Sequence, residues 1–199
     1  MRFGTIGAGN IAQAVARHAV AAGHDVVISN SREPETLAEL AAELGATAGS
    51  VEEAAAADIV LLAPPWSAVD DILGALPAWD GRILIDATNA FISFSPTQVA
   101  DFGDGTSSEH VASLASGAHV IKAFNTLFAR FIAADPRHDA GRQLLFYAGD
   151  DADAKARFAA LVDDFGFAAV DAGSLHEGGK FMQAGGGPLS GLHALKQET

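Results

Sequence analysis

The chain has 199 residues, with 25 acidic and 12 basic side chains, a formal net charge of −13, 49% hydrophobic residues and no cysteine. This length and composition give one α/β core, or one core with a small appendage, and exclude a disordered chain. The acidic balance argues against nucleic-acid or anionic-membrane partners, and the missing thiols exclude disulfides, iron–sulfur clusters and thiolate metal sites.

Arg2-Phe3 runs straight into a core strand and no apolar run has the length of a membrane span. Neither a transmembrane helix nor a signal peptide is expected, and the cytoplasm is the expected compartment. The first strand is predicted over 2–6. Gly7-x-Gly9-x-x-Ala12 follows, opening a helix over 10–22 with Ile11, Val15 and Ala19 on one face. A dinucleotide pyrophosphate needs this geometry. Gly7 permits the tight turn, Gly9 lets backbone approach the phosphates, and Ala12 lets helix pack on strand. The helix N-terminus supplies free N–H groups and a positive dipole end.

The second strand, 25–29, says which dinucleotide. An NAD site places a carboxylate after this strand for the ribose hydroxyls. Here the strand is followed by Asn30-Ser31-Arg32. A 2′-phosphate is compatible with an amide, a hydroxyl and a guanidinium, so NADP(H) is the expected dinucleotide. Hydrogen bonds to charged groups contribute about 1.5–3 kcal/mol each, enough to decide between the two. Asn30 and Ser31 also suit a turn capping the next helix, a role compatible with phosphate binding.

Further strands are predicted at 46–48, 58–62, 82–86, 119–123, 143–148 and 167–171, and helices near 34–44, 51–56, 66–75, 107–116, 126–133 and 151–165. Apolar runs such as Ile59-Val60-Leu61-Leu62 read as strands buried on both faces. The expected fold is a doubly wound, mostly parallel Rossmann sheet in the order 3-2-1-4-5-6 with later strands added. Residues 1–173 form the dinucleotide-binding domain. From Ser174 no further strand is expected. Residues 174–199 read as a loop, a short helix over 176–183, a glycine-rich stretch and a final helix ending at Gln197. This segment covers the second-substrate pocket.

Ligands of such sheets lie outside the carboxyl ends of the strands. The loops there are Ala63-Pro64-Pro65-Trp66, Asp86-Ala87-Thr88-Asn89-Ala90 and Lys122-Ala123-Phe124-Asn125-Thr126, joined by the tail at 183–189. Their small, apolar and amide side chains suit a flat ring and a carboxamide. Pro64 and Pro65 are either a stiff wall or a helix start. Asn89 is a ligand or a turn residue, and Lys122 an ion-pair partner or a direct ligand. Gly185-Gly186-Gly187 allows close backbone approach or a hinge. The histidines (His18, His24, His110, His119, His138, His176 and His193) show no metal-ligand spacing, and no metal is expected. His110, His176 and His193 remain site candidates. No nucleophile–base set is present, so no catalytic acid or base is assigned. Hydride transfer by positioning is expected. Phe124, Phe128 and Phe131, or Phe91 and Phe94, form an interface or fill the core.

Residues 4–12, Asn30-Ser31-Arg32, Val120-Ile121-Lys122-Ala123-Phe124-Asn125-Thr126 and Gly186-Gly187-Pro188-Leu189 together resemble the NADPH-dependent oxidoreductases of coenzyme F-420, an 8-hydroxy-5-deazaflavin. The nucleotide-binding region of membrane metalloreductases is similar in the same places. The resemblance implies a Rossmann domain with a small C-terminal part, hydride exchange between NADPH and the deazaflavin, and a homodimer. By position, Thr5, Gly7, Ala8, Gly9, Asn10 and Ile11 would line the pyrophosphate, and Asn30, Ser31 and Arg32 the 2′-phosphate. Ala63, Pro64, Pro65, Asn89, Ala123, Phe124 and Asn125 would lie by the nicotinamide. Trp66, Gly186, Gly187, Pro188 and Leu189 would enclose the second ring.

Two other readings stand beside this one. The first is an NADPH-dependent reductase of a flavin, quinone, ferric chelate or small carbonyl or imine. The second is a non-catalytic NADP sensor. The apolar, proton-poor tail favours a planar redox ring over a carbonyl, whose reduction normally wants a proton donor.

Overall fold

The chain begins with β1 (Arg2–Ile6), α1 (Asn10–Ala21), β2 (Asp25–Ser29), α2 (Ala38–Leu44), β3 (Thr47–Ala48), α3 (Val51–Ala55), β4 (Ile59–Leu62), α4 (Val69–Ala75) and β5 (Ile83–Asp86). It is seen in a computed structural model that describes residues 1–197. The five strands are parallel in the order β3-β2-β1-β4-β5, with Phe3 opposite both Val26 and Ile59, and Ile59 opposite Ile83. This is the predicted doubly wound order.

The second half holds β6 (Phe91–Phe94), β7 (Thr97–Val99), α5 (Ser107–Leu114), β8 (His119–Ala123), α6 (Ala129–Ala133), β9 (Arg137–His138), β10 (Gly141–Gly149), α7 (Ala152–Asp164), β11 (Ala168–Asp171), α8 (Glu177–Met182) and β12 (Leu195–Lys196). The sheet continues β5-β8-β10-β11. β8 is parallel to β5, and β10 is antiparallel to β8, with Tyr147 opposite Ala123. The reversal has a local cause. α6 is a single short helix docked on α1, so the chain does not cross back under the sheet. It turns through the β9–β10 hairpin and re-enters from the carboxyl edge, where only an antiparallel strand fits.

Strands buried on both faces divide the core in two. Phe3, Ile28, Leu61, Ile85 and Ile121 meet the α1 and α7 side, with Val15 and Phe158. Ile6, Val60, Leu62 and Leu84 meet the α4 and α5 side, with Leu73, Trp79 and Val111. Each such side chain contributes about 1.5–3 kcal/mol by leaving water. Caps set the helix starts. Ser50 with Glu53 and Thr106 with Glu109 form capping boxes, and Asp151 accepts from the Ala154 N–H at 2.7 Å.

Three expectations are corrected. The tail does form a strand: β12 pairs antiparallel with β10, with Leu195 opposite Gln143. No helix runs to Gln197, because turns occupy 184–191 and the chain is drawn onto the β10 edge. Glu198 and Thr199, at the end of the expected C-terminal segment, lie outside the described residues. The helix expected from 126 begins at Ala129, since residues 124–128 form the loop after β8. The β6–β7 hairpin lies where no element is expected, its strands being four and three residues long with Pro96 between them. Of the phenylalanines weighed as interface or core, Phe124 is fully buried, while Phe128 and Phe94 are exposed. Among the described residues no helix is long and apolar enough to cross a membrane.

Candidate active site

Gly7 has φ 110°, and its N–H donates to the Ser29 carbonyl at 3.0 Å, which ties the turn after β1 to the end of β2. A Cβ on Gly7 would meet the Ala63 carbonyl oxygen at 2.6 Å. A Cβ on Gly9 would meet nothing within 4 Å. That space faces the start of α1, whose N-cap makes no side-chain hydrogen bond. The first-turn N–H groups therefore keep their donors and the positive dipole end for a ligand. The cradle fits a pyrophosphate. Thr5 is fully buried beneath it and donates to the Gly7 carbonyl at 3.1 Å, so it shapes the turn from below.

A cleft of about 540 Å³ runs over this cradle, lined by Gly7, Ala8, Gly9, Asn30, Ser31 and Pro64 among others. Asn30 Oδ1 accepts from the Arg32 N–H at 2.8 Å, and Asn30 Nδ2 donates to Thr36 Oγ1 at 3.2 Å. This turn presents Ser31 and Arg32 to solvent beyond β2. Among the described residues the Arg32 guanidinium has no ion-pair partner.

A second cleft of about 590 Å³ shares Ala63, Pro64, Pro65 and Ser67 with the first, and continues along Ile11, Trp66, Asn89, Phe91, Ile92 and Phe94. Pro64 and Pro65 serve both roles weighed for them: they wall the two clefts, and Pro65 precedes the 3-10 turn Trp66–Ala68 that leads into α4. Asn89 Nδ2 donates to the Asn125 carbonyl at 3.3 Å, and Asn125 Nδ2 donates to Asn89 Oδ1 at 3.2 Å and to the Met182 carbonyl at 2.8 Å. The amide pair ties the loops after β5 and β8 to the end of α8. Asn125 Oδ1 is buried without a protein partner.

Beneath this floor lies a buried charge pair. Asp86 and Lys122 are 0% and 1% exposed. Asp86 Oδ1 accepts from the Thr88 N–H at 2.9 Å and the Thr88 hydroxyl at 2.6 Å. Asp86 Oδ2 accepts from Ser108 at 2.8 Å and from Lys122 Nζ at 3.0 Å, and Lys122 Nζ also donates to the Thr88 carbonyl at 2.6 Å. Lys122 is thus an ion-pair partner, closed off from both clefts.

Several residues expected at the site are elsewhere. Ala123 is buried in the core. Phe124, at φ 63°, turns its ring into the core against Phe158 and Phe167, so only its backbone faces the loop. Asn10 borders a groove with Arg17 and Arg130 on the α6 side of α1. Gly186 and Gly187 line a separate cavity of about 270 Å³ with Val99 and Lys180. Leu189 packs near Phe146 and Met182, and Pro188 is exposed. The reason is local: the Gly187 N–H donates to the Gln183 carbonyl and the Leu189 N–H to the Phe181 carbonyl, each at 2.9 Å, folding the tail back on α8. The β6–β7 hairpin takes the place expected for the tail. An exposed apolar Phe91-Ile92-x-Phe94 run just after a strand-end loop was the available signal.

The three candidate histidines have other partners. His110 pairs with Asp70 at 2.9 Å, His176 with Glu109 at 3.1 Å, and His193 stacks on Phe131 at 3.9 Å. Among the described residues no titratable side chain lines the second cleft, and no three His, Asp or Glu side chains gather as a metal group.

Residues 2–90 match the family model described as NADP oxidoreductase, coenzyme F420-dependent. The structure is similar to that of a hypothetical protein from Sinorhizobium meliloti, with TM-score 0.92 and 39% identity, covering 99% of this chain and 96% of that one. The class is that of NADP-dependent oxidoreductases. The likeness to the coenzyme F420-dependent NADP oxidoreductases covers residues 2–90, under half of the chain. A structure from Arthrobacter sp. FB24 described as an F420-dependent NADP reductase shares the fold at TM-score 0.72 and 24% identity, over 88% of this chain and 86% of that one. The chain is also 30% identical over 175 residues to metalloreductase STEAP3 of Rattus norvegicus, covering 87% of this chain and 34% of that protein. It therefore spans about a third of that relative's length.

Proposed function

We propose that this protein transfers hydride between NADP(H) and a planar redox ring, with the deazaflavin coenzyme F-420 as acceptor. The observation that carries the reading is the shared wall. Ala63, Pro64, Pro65 and Ser67 border both the cleft over the glycine cradle and the second cleft, so two ligands would meet across one strip of chain. Gly7, Ala8, Gly9 and the start of α1 would hold the pyrophosphate. Asn30, Ser31 and Arg32 would hold the 2′-phosphate, and Ala63, Pro64 and Asn89 would flank the nicotinamide.

When bound, NADPH supplies a hydride and the acceptor takes it together with a proton from solvent. The cleft walls would position the two rings, and among the described residues no titratable side chain lines the second cleft, which suits ring-to-ring transfer better than carbonyl reduction. Residues 1–173 would carry this machinery, with the tail bracing it through the Met182 carbonyl. A homodimer follows from the family resemblance alone, and sedimentation tests it separately.

Stopped-flow absorbance of NADPH mixed with protein and coenzyme F-420, FMN or FAD tests the function. Bleaching of F-420 within a few turnovers supports the reading. Turnover with FMN or FAD alone supports a flavin reductase, which the 30% identity to a metalloreductase favours as second reading. Tight NADPH binding with no acceptor reduced leaves a sensor.

A further inference from the structure

We propose that the β6–β7 hairpin is the acceptor clamp, with Phe94 and Ile92 forming the apolar face that lies against the acceptor ring and selects a planar one. The proposal rests on the hydride-transfer reading above and adds the residues that choose its second substrate.

The hairpin is a separate two-stranded sheet, outside the main one. Such a ribbon is marginal by itself and needs something to cover its apolar side. Phe94 is 77% exposed and Ile92 61%, the two largest exposures among the large hydrophobic side chains of the described residues. Ile92 and Phe94 are both exposed while Phe91 and Ser93 are half-buried, so these two side chains form the open side of β6. Both line the second cleft together with Pro64, Pro65 and Trp66. Phe91 joins them, its ring centroid 5.1 Å from that of Phe94.

The chemistry of the slot is therefore mainly apolar. The prolines give a flat wall without N–H donors. Thr88 spends its hydroxyl on Asp86, and Asn89 and Asn125 bond each other. What remains recognises a large flat ring by stacking and burial, and a small polar carbonyl would leave Phe94 and Ile92 in water. The occupant is argued to be the acceptor because the slot is continuous with the dinucleotide cleft through Ala63, Pro64, Pro65 and Ser67.

The test uses full-length protein loaded with NADP⁺, titrated with oxidised coenzyme F-420 and, separately, FMN, with quenching of their fluorescence as readout. Phe94→Ala is expected to weaken acceptor binding about tenfold or more, and Phe94→Trp to keep it within about threefold. The NADPH Kd should stay unchanged in both variants. Because Phe94 is exposed, neither substitution touches the core. The proposal falls if Phe94→Ala binds both acceptors as wild type does, or weakens NADPH equally. It also falls if the substitution splits an oligomer while acceptor affinity holds, since a second copy of the chain would then be the occupant. If the wild type binds neither acceptor, the hydride-transfer reading fails and the clamp with it. If the wild type reduces an acceptor and Phe94→Ala does so with the same KM, the clamp alone fails.

Discussion

Lys122 Nζ lies 3.0 Å from Asp86 Oδ2, inside the protein, where β5 and β8 run side by side with these two residues opposite each other. Their partners are complete: Asp86 accepts four hydrogen bonds, and Lys122 closes the ring by donating to the Thr88 carbonyl. Removing one charge leaves the other buried and uncompensated. Lys122→Met is expected to cost about 3–5 kcal/mol in urea denaturation. The double variant Asp86→Leu/Lys122→Met should recover most of that loss. A single variant as stable as wild type would show that the pair does not brace the cleft floor.

Arg32 is the exposed cation after β2, where an NAD site would carry an acid. Arg32→Ala should weaken NADPH about 10- to 150-fold, the equivalent of one charge-assisted bond worth about 1.5–3 kcal/mol, and leave NADH within about twofold. Calorimetry with both nucleotides measures it. Equal losses for the two would remove Arg32 from the 2′-phosphate.

The two glycines of the turn should fail differently. Gly9 has φ −74° and open space where a side chain would go. Gly9→Val should fold with nearly wild-type Tm and lose NADPH binding by about a hundredfold or more, its side chain filling the phosphate cradle. Gly7→Ala meets the Ala63 carbonyl at 2.6 Å from a φ of 110°, so it should lower Tm as well as binding. Retained NADPH affinity in Gly9→Val would move the pyrophosphate elsewhere.

His24 gives the stability an acid-side dependence. Burial, then the N-terminal charge, holds its imidazole below the usual 6.5, against the opposing pull of Asp164 and Asp25. Its ring lies beside Phe165, and Nε2 is buried without a partner. A lowered folded-state value means that the neutral form is favoured in the fold. The contribution is therefore present above the unfolded value and lost as pH falls through the lowered one. His24→Gln should flatten the fall of the urea midpoint as pH drops below about 6.5. An unchanged slope would assign that fall to other groups.

The first five strands, their order and the glycine turn were legible because each rests on local pattern: doubly apolar runs, a period of 3.6, and Gly7 and Gly9 at fixed spacing. Asn30-Ser31-Arg32 was legible because its position is counted along the chain from that turn. The hairpin was not, since Phe91 to Val99 shows no burial alternation until the cleft it borders exists. Lys122 and Phe124 sit in a strand-end loop that reads as ligand-binding, yet one side chain is drawn to Asp86 and the other into the core.

By itself the sequence determined an α/β sheet with a dinucleotide cradle at its amino-terminal turn, because local dihedral preference and hydrophobic period act between residues close in the chain. Tertiary structure alone decided which segment walls the second cleft. That choice involves the tail and the hairpin, about 90 residues apart, and rests on contacts between segments distant in the chain: β12 pairs with β10, and β6 lies against the Trp66–Ala68 turn. The tail folds back by hydrogen bonds onto α8, and the hairpin lines the cleft with the prolines.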